Sequence, residues 1–145
     1  MEGLESIMFN NIYRDKKVLV TGHTGFKGTW LTTWLLKLGA EVVGISKDIP
    51  TNPSMFEELM LENKIKHYQE DIRDLSKMIE IISSEEPEFL FHLAAQPIVS
   101  TSYNDPIETI SSNVMGTANI LEALKTSNHK CSAIIITSDK AYDNV

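Results

Sequence analysis

The sequence predicts an α/β fold in which parallel strands form one sheet with helices on both faces. Short β-rich apolar segments alternate with amphipathic helical segments along the whole chain, an order that favours parallel strands joined by right-handed crossovers. A glycine-rich segment, Gly22–Gly28, joins the first strand to the first helix. The chain has 145 residues, of which 42% are hydrophobic, enough for one domain with a packed core.

Five short segments between turn and helix signals predict the strands. They lie at residues 18–20, 41–46, 65–69, 89–93 and 133–137. Their alternation with helices predicts the strand order 3-2-1-4-5, the beginning of a doubly wound, Rossmann-type sheet that is truncated after about the fifth strand. No internal repeat or linker divides the chain, so residues 1–145 are expected to form one incomplete domain.

Capping residues and apolar periodicity predict the helices. The first carries apolar residues at helical spacing from residue 30 to 38 and ends at Gly39. Ser54 starts a short helix that runs to about residue 61, and Asp74 caps one with an apolar stripe at residues 75, 78, 79 and 82. Asp105, followed by Pro106, starts a long helix whose stripe extends from residue 107 to 124, as core or subunit interface.

Charge and cysteine content exclude several classes of function. The net charge of −7 argues against a nucleic-acid or anionic-membrane surface, and residues 1–15 contain no apolar run long enough for a signal peptide or membrane span. Cys131 is the single cysteine, so no internal disulfide forms, and the four histidines lack metal-ligand spacing. We therefore expect a cytoplasmic protein without a metal site, nucleic-acid partner or membrane partner.

The glycine-rich segment has the spacing of a phosphate-binding loop. Its glycines permit a tight turn and close approach of the backbone to a pyrophosphate, which the helix N-terminus would bind. The segment predicts a dinucleotide site that includes Gly22, Thr24, Gly25, Phe26, Lys27 and Gly28. His23 and Lys27 fit a solvated loop position as well as a ligand contact.

Two further strand ends carry residues suited to the adenosine of a dinucleotide. Ser46 ends the second strand and can bind a ribose hydroxyl, while Lys47 would favour a 2′-phosphate and Asp48 would oppose one. The choice between NAD and NADP therefore stays open. After the third strand, Asp71 can accept a hydrogen bond from adenine and Ile72 can pack on its ring, whereas Arg73 fits a surface position.

Five segments in order resemble the extended short-chain dehydrogenase/reductase family of NAD-dependent epimerases and dehydratases. They are residues 21–28, 71–74, 92–96, 112–117 and 137–140. Within that family, Gly22–Gly28 and the segment at 137–144 look like the CDP-glucose 4,6-dehydratases, chiefly because Lys140 stands where dTDP-glucose dehydratases carry glutamate. The resemblance implies NAD as an internally recycled hydride carrier, a nucleotide-sugar substrate such as CDP-glucose, and a homo-oligomer.

The implied reaction is a 4,6-dehydration, in which a hydride leaves C4, water leaves across C5 and C6, and the hydride returns to C6. By resemblance, Ser138 binds the C4 oxygen, Asp139 protonates the leaving hydroxyl, and Lys140 assists C5 deprotonation or orients the leaving group. Asn113 would brace the active-site backbone. Residues implied to line the cofactor are Leu93, Ala94, Ala95, Gln96 and Thr137.

The family's Tyr-x-x-x-Lys pair has no match at the expected place in the chain. The pair and the substrate domain are expected beyond Asn144. Tyr13 and Lys17 have the same spacing, but they precede the first strand, so we interpret that match as a coincidence. We therefore expect the chain alone not to dehydrate CDP-glucose. Alternatives that stay open are a non-catalytic NAD-binding fragment or module, a sibling nucleotide-sugar epimerase and a GDP-mannose 4,6-dehydratase.

Overall fold

The computed structural model describes residues 5–138, in which five parallel strands form one sheet. The strands are β1 (Lys17–Thr21), β2 (Glu41–Ser46), β3 (Lys66–Gln69), β4 (Phe89–His92) and β5 (Ser132–Ile135). Their order across the sheet is β3-β2-β1-β4-β5, and each neighbouring pair is parallel. The predicted fold class and strand order are therefore confirmed.

Helical segments connect the strands and precede the first one. The α-helices are α1 (Phe26–Lys37), α2 (Met55–Glu58), α3 (Leu75–Glu85), α4 (Val99–Asn104), α5 (Pro106–Ile110) and α6 (Gly116–Thr126). A π-helical turn, Ser111–Met115, joins α5 to α6 without a break. Short 3-10 segments lie at Glu5–Asn11, which is kinked, and at Leu61–Asn63. None of the helices in the described part of the chain is long and apolar enough to cross a bilayer.

Side-chain caps fix the starts of three helices as the sequence predicts. Ser54 accepts a hydrogen bond from the Glu57 amide at 3.2 Å. Asp74 accepts one from the Lys77 amide at 3.0 Å. At α5, Asp105 accepts one from the Glu108 amide at 2.9 Å. Each cap satisfies an amide that has no partner within its helix, which sets where the helix begins.

Alternate residues of β1 enter two separate cores, one on each face of the sheet. Leu19 packs with α3 and α6 through side chains that include Met78 and Ile120. Val18 and Val20 face the opposite side, where they pack with Leu35 of α1. This period of two places both faces of a central strand in apolar surroundings, as expected for a buried parallel sheet.

The long helical segment after Asp105 differs from the regular apolar stripe predicted for it. Ile107 and Val114 are 74% and 59% exposed, whereas Ile120 and Ala123 are fully buried. Ile110 and Leu121, which belong to the same predicted stripe, are also 55% and 49% exposed. Most of the predicted stripe is therefore surface, and the core is reached by other residues of α6. Helix α4 is also an addition to the elements predicted from the sequence.

Candidate functional site

A groove of about 1090 Å³ opens along the carboxyl ends of the strands. It lies where the sheet order reverses, with β2 on one side of β1 and β4 on the other. Parallel α/β sheets bind ligands at this position. The described residues proposed from the sequence as cofactor or substrate contacts all line it: Gly22, Thr24, Gly25, Phe26, Lys27, Gly28, Ser46, Asp71, Ile72, Leu93, Ala94, Ala95, Gln96, Thr137 and Ser138.

Two glycines of the loop after β1 occupy positions that exclude a side chain. Gly22 has a φ of +73°, and a Cβ there would lie 2.8 Å from the backbone nitrogen of Ala94. A Cβ on Gly28 would collide with the carbonyl of Gly22. The loops after β1 and β4 therefore touch through backbone atoms, which brings the first turn of α1 against the groove.

The first turn of α1 has no side-chain cap, in contrast to α2, α3 and α5. Its N-cap residue is Gly25, which makes no side-chain hydrogen bond, and the turn contains no acidic residue. The first amides of a helix have no partner within the helix and carry partial positive charge. Phe26 and Lys27 line the groove at this point, so their amides are available to an anionic ligand, whereas the Gly25 amide donates to the Gly22 carbonyl at 3.2 Å.

His23 is buried, which corrects the prediction that it is either a solvated loop residue or a ligand contact. Its Nε2 lies 2.8 Å from Nδ1 of His67, and its Nδ1 lies 3.1 Å from the Ser46 hydroxyl. Burial, together with the neighbouring His67, lowers the pKa of His23 to about 4. The ring is therefore neutral at physiological pH and fixes the loop to β2 and β3. Gly44 leaves room for it, since a Cβ there would lie 2.5 Å from the ring.

The hydroxyls of Ser46 and Thr24 already have partners within the protein. Thr24 donates to the backbone carbonyl of Asp48 at 2.7 Å, which ties the glycine-rich loop to the segment after β2. The Ser46 oxygen lies 3.5 Å from the Thr24 amide, in addition to its contact with His23. Ser46 lines the groove but is buried, so its contact with a ribose stays a prediction.

A network of four charged side chains lies at the β2 and β3 end of the groove, where Lys47 and Asp71 line it. Arg73 donates to both carboxylate oxygens of Asp71, at 3.0 Å from Nε to Oδ1 and 2.5 Å from a terminal nitrogen to Oδ2, and also binds Glu108. Glu108 accepts a second ion pair from Lys47 at 2.9 Å. The hydrogen bonds from Arg73 hold the pKa of Asp71 below its usual range. Arg73 lies at the surface, as predicted, and is also a member of this network.

Ile72 belongs to the core, although it was predicted to pack on an adenine ring. Its side chain is 7% exposed and packs with α3 and α6. Gly116 provides the space, because a Cβ at that position would meet the end of the Ile72 side chain. Ile72 therefore offers little surface to a ligand.

A chain of hydrogen bonds supports the loop after β4. The Thr21 hydroxyl accepts the amides of Leu93 and Ala94, each at 3.1 Å, and lies 2.7 Å from Nδ1 of His92. Because that oxygen already accepts twice, its proton goes to His92. Nε2 of His92 lies 3.0 Å from the Thr117 hydroxyl, and burial lowers the pKa of His92 to about 4. The neutral ring of His92 therefore links Thr21 to Thr117 in this series of hydrogen bonds.

Gln96 and Asn113 form a second support for this loop. The Gln96 amide donates to Asn113 Oδ1 at 2.7 Å, and Asn113 Nδ2 donates to the Gln96 carbonyl at 3.1 Å. The Gln96 side chain donates to the Thr109 hydroxyl at 2.8 Å and accepts from the Ile98 amide at 2.6 Å. The bracing role predicted for Asn113 fits this geometry, whereas the Gln96 side chain is engaged by protein groups.

Thr137 and Ser138 lie at the end of the groove that follows β5. Both are exposed and on the same groove as the glycine-rich loop. Asp139 and Lys140, the other two proposed catalytic residues, lie outside the described residues. No cluster of three or more potential metal ligands occurs between residues 5 and 138.

Three features meet in the groove: unpaired amides at the start of α1, small residues of the loop after β4, and the polar residues Thr137 and Ser138 after β5. This arrangement suits a long, anionic ligand whose phosphates meet α1 and whose ends extend toward β3 and β5. Sequence reasoning missed His67, Glu108 and Thr117, which hold the lining residues. The sequence shows only that these three side chains can form hydrogen bonds. It does not show with which residues, because each partner lies far away in the sequence.

Comparison with known proteins agrees with this geometry. The family model described as GDP-mannose 4,6 dehydratase matches residues 19–145. The chain is 49% identical over 134 residues to a CDP-glucose 4,6-dehydratase of Salmonella typhimurium, covering 92% of this chain and 37% of the relative. It is 35% identical over 120 residues to a GDP-mannose 4,6 dehydratase of Drosophila melanogaster, covering 78% of this chain and 30% of that protein.

Among solved structures, a UDP-glucose 4-epimerase from Stenotrophomonas maltophila, with bound NAD and formylated UDP-arabinopyranose, superposes with a TM-score of 0.77 at 25% identity. The match covers 90% of this chain and 39% of the epimerase. The chain thus spans less than two-fifths of the length of each of these three relatives.

Proposed function

The chain belongs to the GDP-mannose 4,6 dehydratase family, and on that basis we propose that it is the NAD-binding part of a nucleotide-sugar 4,6-dehydratase that acts on CDP-glucose. The observation that carries the cofactor proposal is the uncapped first turn of α1 beside the groove. Identity of 49% to a CDP-glucose 4,6-dehydratase supports the choice of substrate. Residues 1–145 would then be the dinucleotide-binding domain, incomplete with respect to the longer relatives.

The residues present fit a dinucleotide. Gly22 leaves no room for a side chain where the loops after β1 and β4 meet, and Gly28 leaves none against the Gly22 carbonyl, so the backbone would lie close to the pyrophosphate. The amides at the start of α1 would bind the phosphates, and the segment from Leu93 to Gln96 would line the nicotinamide end. NAD, when bound, supplies reversible hydride transfer with the sugar.

The substrate end of the groove is proposed at the residues that follow β5. Ser138 would donate a hydrogen bond to the C4 oxygen of the sugar and orient it. Asp139 would hold a proton for the C6 hydroxyl that leaves as water, and Lys140 would accept the C5 proton or orient the leaving group. These roles follow from the resemblance at residues 137–140.

Exposed apolar side chains on one side of the α5–α6 segment support association of the chain. Ile107, Ile110, Val114 and Leu121 are each about half exposed or more. Surface apolar groups in such number are typical of an interface. We propose a homo-oligomer that packs through this segment.

Calorimetric titration of the purified chain with NAD tests the cofactor proposal directly. Saturable binding that disappears in Gly28→Val is the expected result, because the larger side chain collides with the Gly22 carbonyl. Equal binding by both proteins would overturn it.

For the substrate proposal, a longer protein that contains this chain should convert CDP-glucose to a 4-keto-6-deoxy product, and conversion of GDP-mannose instead would favour the sibling activity.

A further inference from the structure

The residue after β2 stands where parallel dinucleotide-binding sheets distinguish NAD from NADP. An acidic residue there binds the ribose 2′-hydroxyl of NAD, whereas a nearby cation accommodates the 2′-phosphate of NADP. In this chain Lys47 follows Ser46 directly, and both line the groove. By itself, a lysine at this position would favour the additional phosphate.

The structure pairs that lysine with an acid from the other half of the fold. Lys47 Nζ lies 2.9 Å from Oε1 of Glu108, which is the third residue of α5 and 61 positions later in the chain. The other oxygen of Glu108 binds Arg73, the second cation at this end of the groove. Arg73 is also bonded to both oxygens of Asp71. Two cations and two carboxylates therefore neutralise one another.

Glu108 remains ionised under ordinary conditions. The hydrogen bond from Lys47 holds its pKa below the usual range, and the charges of Lys47 and Arg73 act in the same direction. Its side chain is 24% exposed, so solvent screens the pair only in part. A 2′-phosphate entering this end of the groove would meet Lys47, which lines the groove and is already paired with the Glu108 carboxylate.

We propose that Glu108 is a specificity-determining residue that makes the groove select NAD over NADP by engaging Lys47 and Arg73. This inference rests on the proposed binding of a dinucleotide in the groove. Glu108 acts from a helix that follows β4, so the selection against a 2′-phosphate differs from the usual acidic residue at the end of β2.

The test is calorimetric measurement of the NAD and NADP dissociation constants for the unsubstituted chain and for Glu108→Gln. The glutamine keeps the size of the side chain and an oxygen for the Ser112 hydroxyl, which lies 3.2 Å from Glu108. Removing the negative charge frees Lys47, whereas Arg73 keeps its bonds to Asp71, so we expect NADP affinity to rise about tenfold, while NAD affinity changes less than about threefold. Adding Lys47→Met to that variant should remove most of the gain.

A matched control is Glu80→Gln, which removes the same charge from the exposed Lys77–Glu80 pair on α3. It should leave both dissociation constants unchanged. If NAD binds but the NAD-to-NADP ratio is the same in Glu108→Gln as in the unsubstituted chain, the inference is overturned while the proposed function stands. If neither dinucleotide binds the unsubstituted chain, the proposed function fails and this inference fails with it.

Discussion

Asn113 binds both backbone polar groups of Gln96, accepting from its amide at 2.7 Å and donating to its carbonyl at 3.1 Å. Asn113 lies in the π-helical turn between α5 and α6, and Gln96 lies in the loop after β4. A primary amide is the side chain that can donate and accept in this way. The pair fixes the backbone of the groove at the end proposed for the nicotinamide.

Asn113→Asp should destabilise the protein and weaken NAD binding. The carboxylate keeps the acceptor for the Gln96 amide but loses the donor and places negative charge against the Gln96 carbonyl. An unsatisfied polar group of this kind costs about 1–3 kcal/mol. Thermal unfolding and calorimetry measure the two effects. Asn104→Asp, an equal change at an exposed position, is the control, and the same loss in both variants would contradict the prediction.

Gly28→Ala should lower the unfolding temperature, whereas Gly25→Ala should not. A Cβ at Gly28 collides with the Gly22 carbonyl, which cannot rotate away because it belongs to the backbone. At Gly25 the nearest atom to a Cβ is 3.4 Å away, an ordinary contact. Overpacking against rigid atoms costs about 1–3 kcal/mol or more. Differential scanning calorimetry of both variants separates the cases, and equal unfolding temperatures would argue against this geometry.

Acid should destabilise the fold between pH 6.5 and about 4. His23 and His92 have pKa values lowered from 6.5 to about 4 by burial, so the unfolded chain binds more protons than the folded chain in this interval. The stabilisation is complete above pH 6.5 and is lost progressively as the pH falls toward 4, by up to about 3 kcal/mol for each histidine. Chemical denaturation across this range measures it. Ring-nitrogen NMR signals that titrate near 6.5 would be inconsistent with buried, neutral rings.

Glu85→Ala should destabilise the protein far more than Glu80→Ala on the same helix. The Glu85 side chain is 3% exposed and binds Lys66, the Tyr68 hydroxyl and Lys17 from neighbouring strands. Its removal leaves these groups without their shared acceptor, at a cost of about 2–4 kcal/mol. Glu80 is largely exposed, and its loss should change stability by less than about 0.5 kcal/mol. Denaturant unfolding of both variants tests the difference.

Local signals predicted most of the fold. Strand order followed from the alternation of elements, and Ser54, Asp74 and Asp105 marked helix starts because capping depends on residues three positions apart. The predicted family resemblance is confirmed by the family match. Capping signals can be recognised in the sequence because the capping side chain and the amide that it binds lie within one helical turn of each other.

The parts that sequence reasoning missed depend on distant partners. His23 is buried because Gly44 makes room for its ring and His67, 44 positions later, binds it. The role of Glu108 depends on Lys47, which lies 61 positions earlier in the chain. The stripe that begins at Ile107 was predicted to be either core or subunit interface, and only the tertiary packing shows that Ile107 is exposed. The groove brings the described candidates together, but their contacts with ligands stay predictions.

The central position of β1 in the sheet also constrains how the protein is made. Val18 pairs with Val42 soon after both are synthesised, but its other neighbour, Phe89, is 71 positions later. During translation, one edge of β1 therefore remains unpaired until β4 leaves the ribosome, and such edges recruit other chains. The glycine-rich loop gains its contact with Ala94 at the same late stage. A nascent chain arrested before residue 89 should therefore depend on chaperones and bind no dinucleotide.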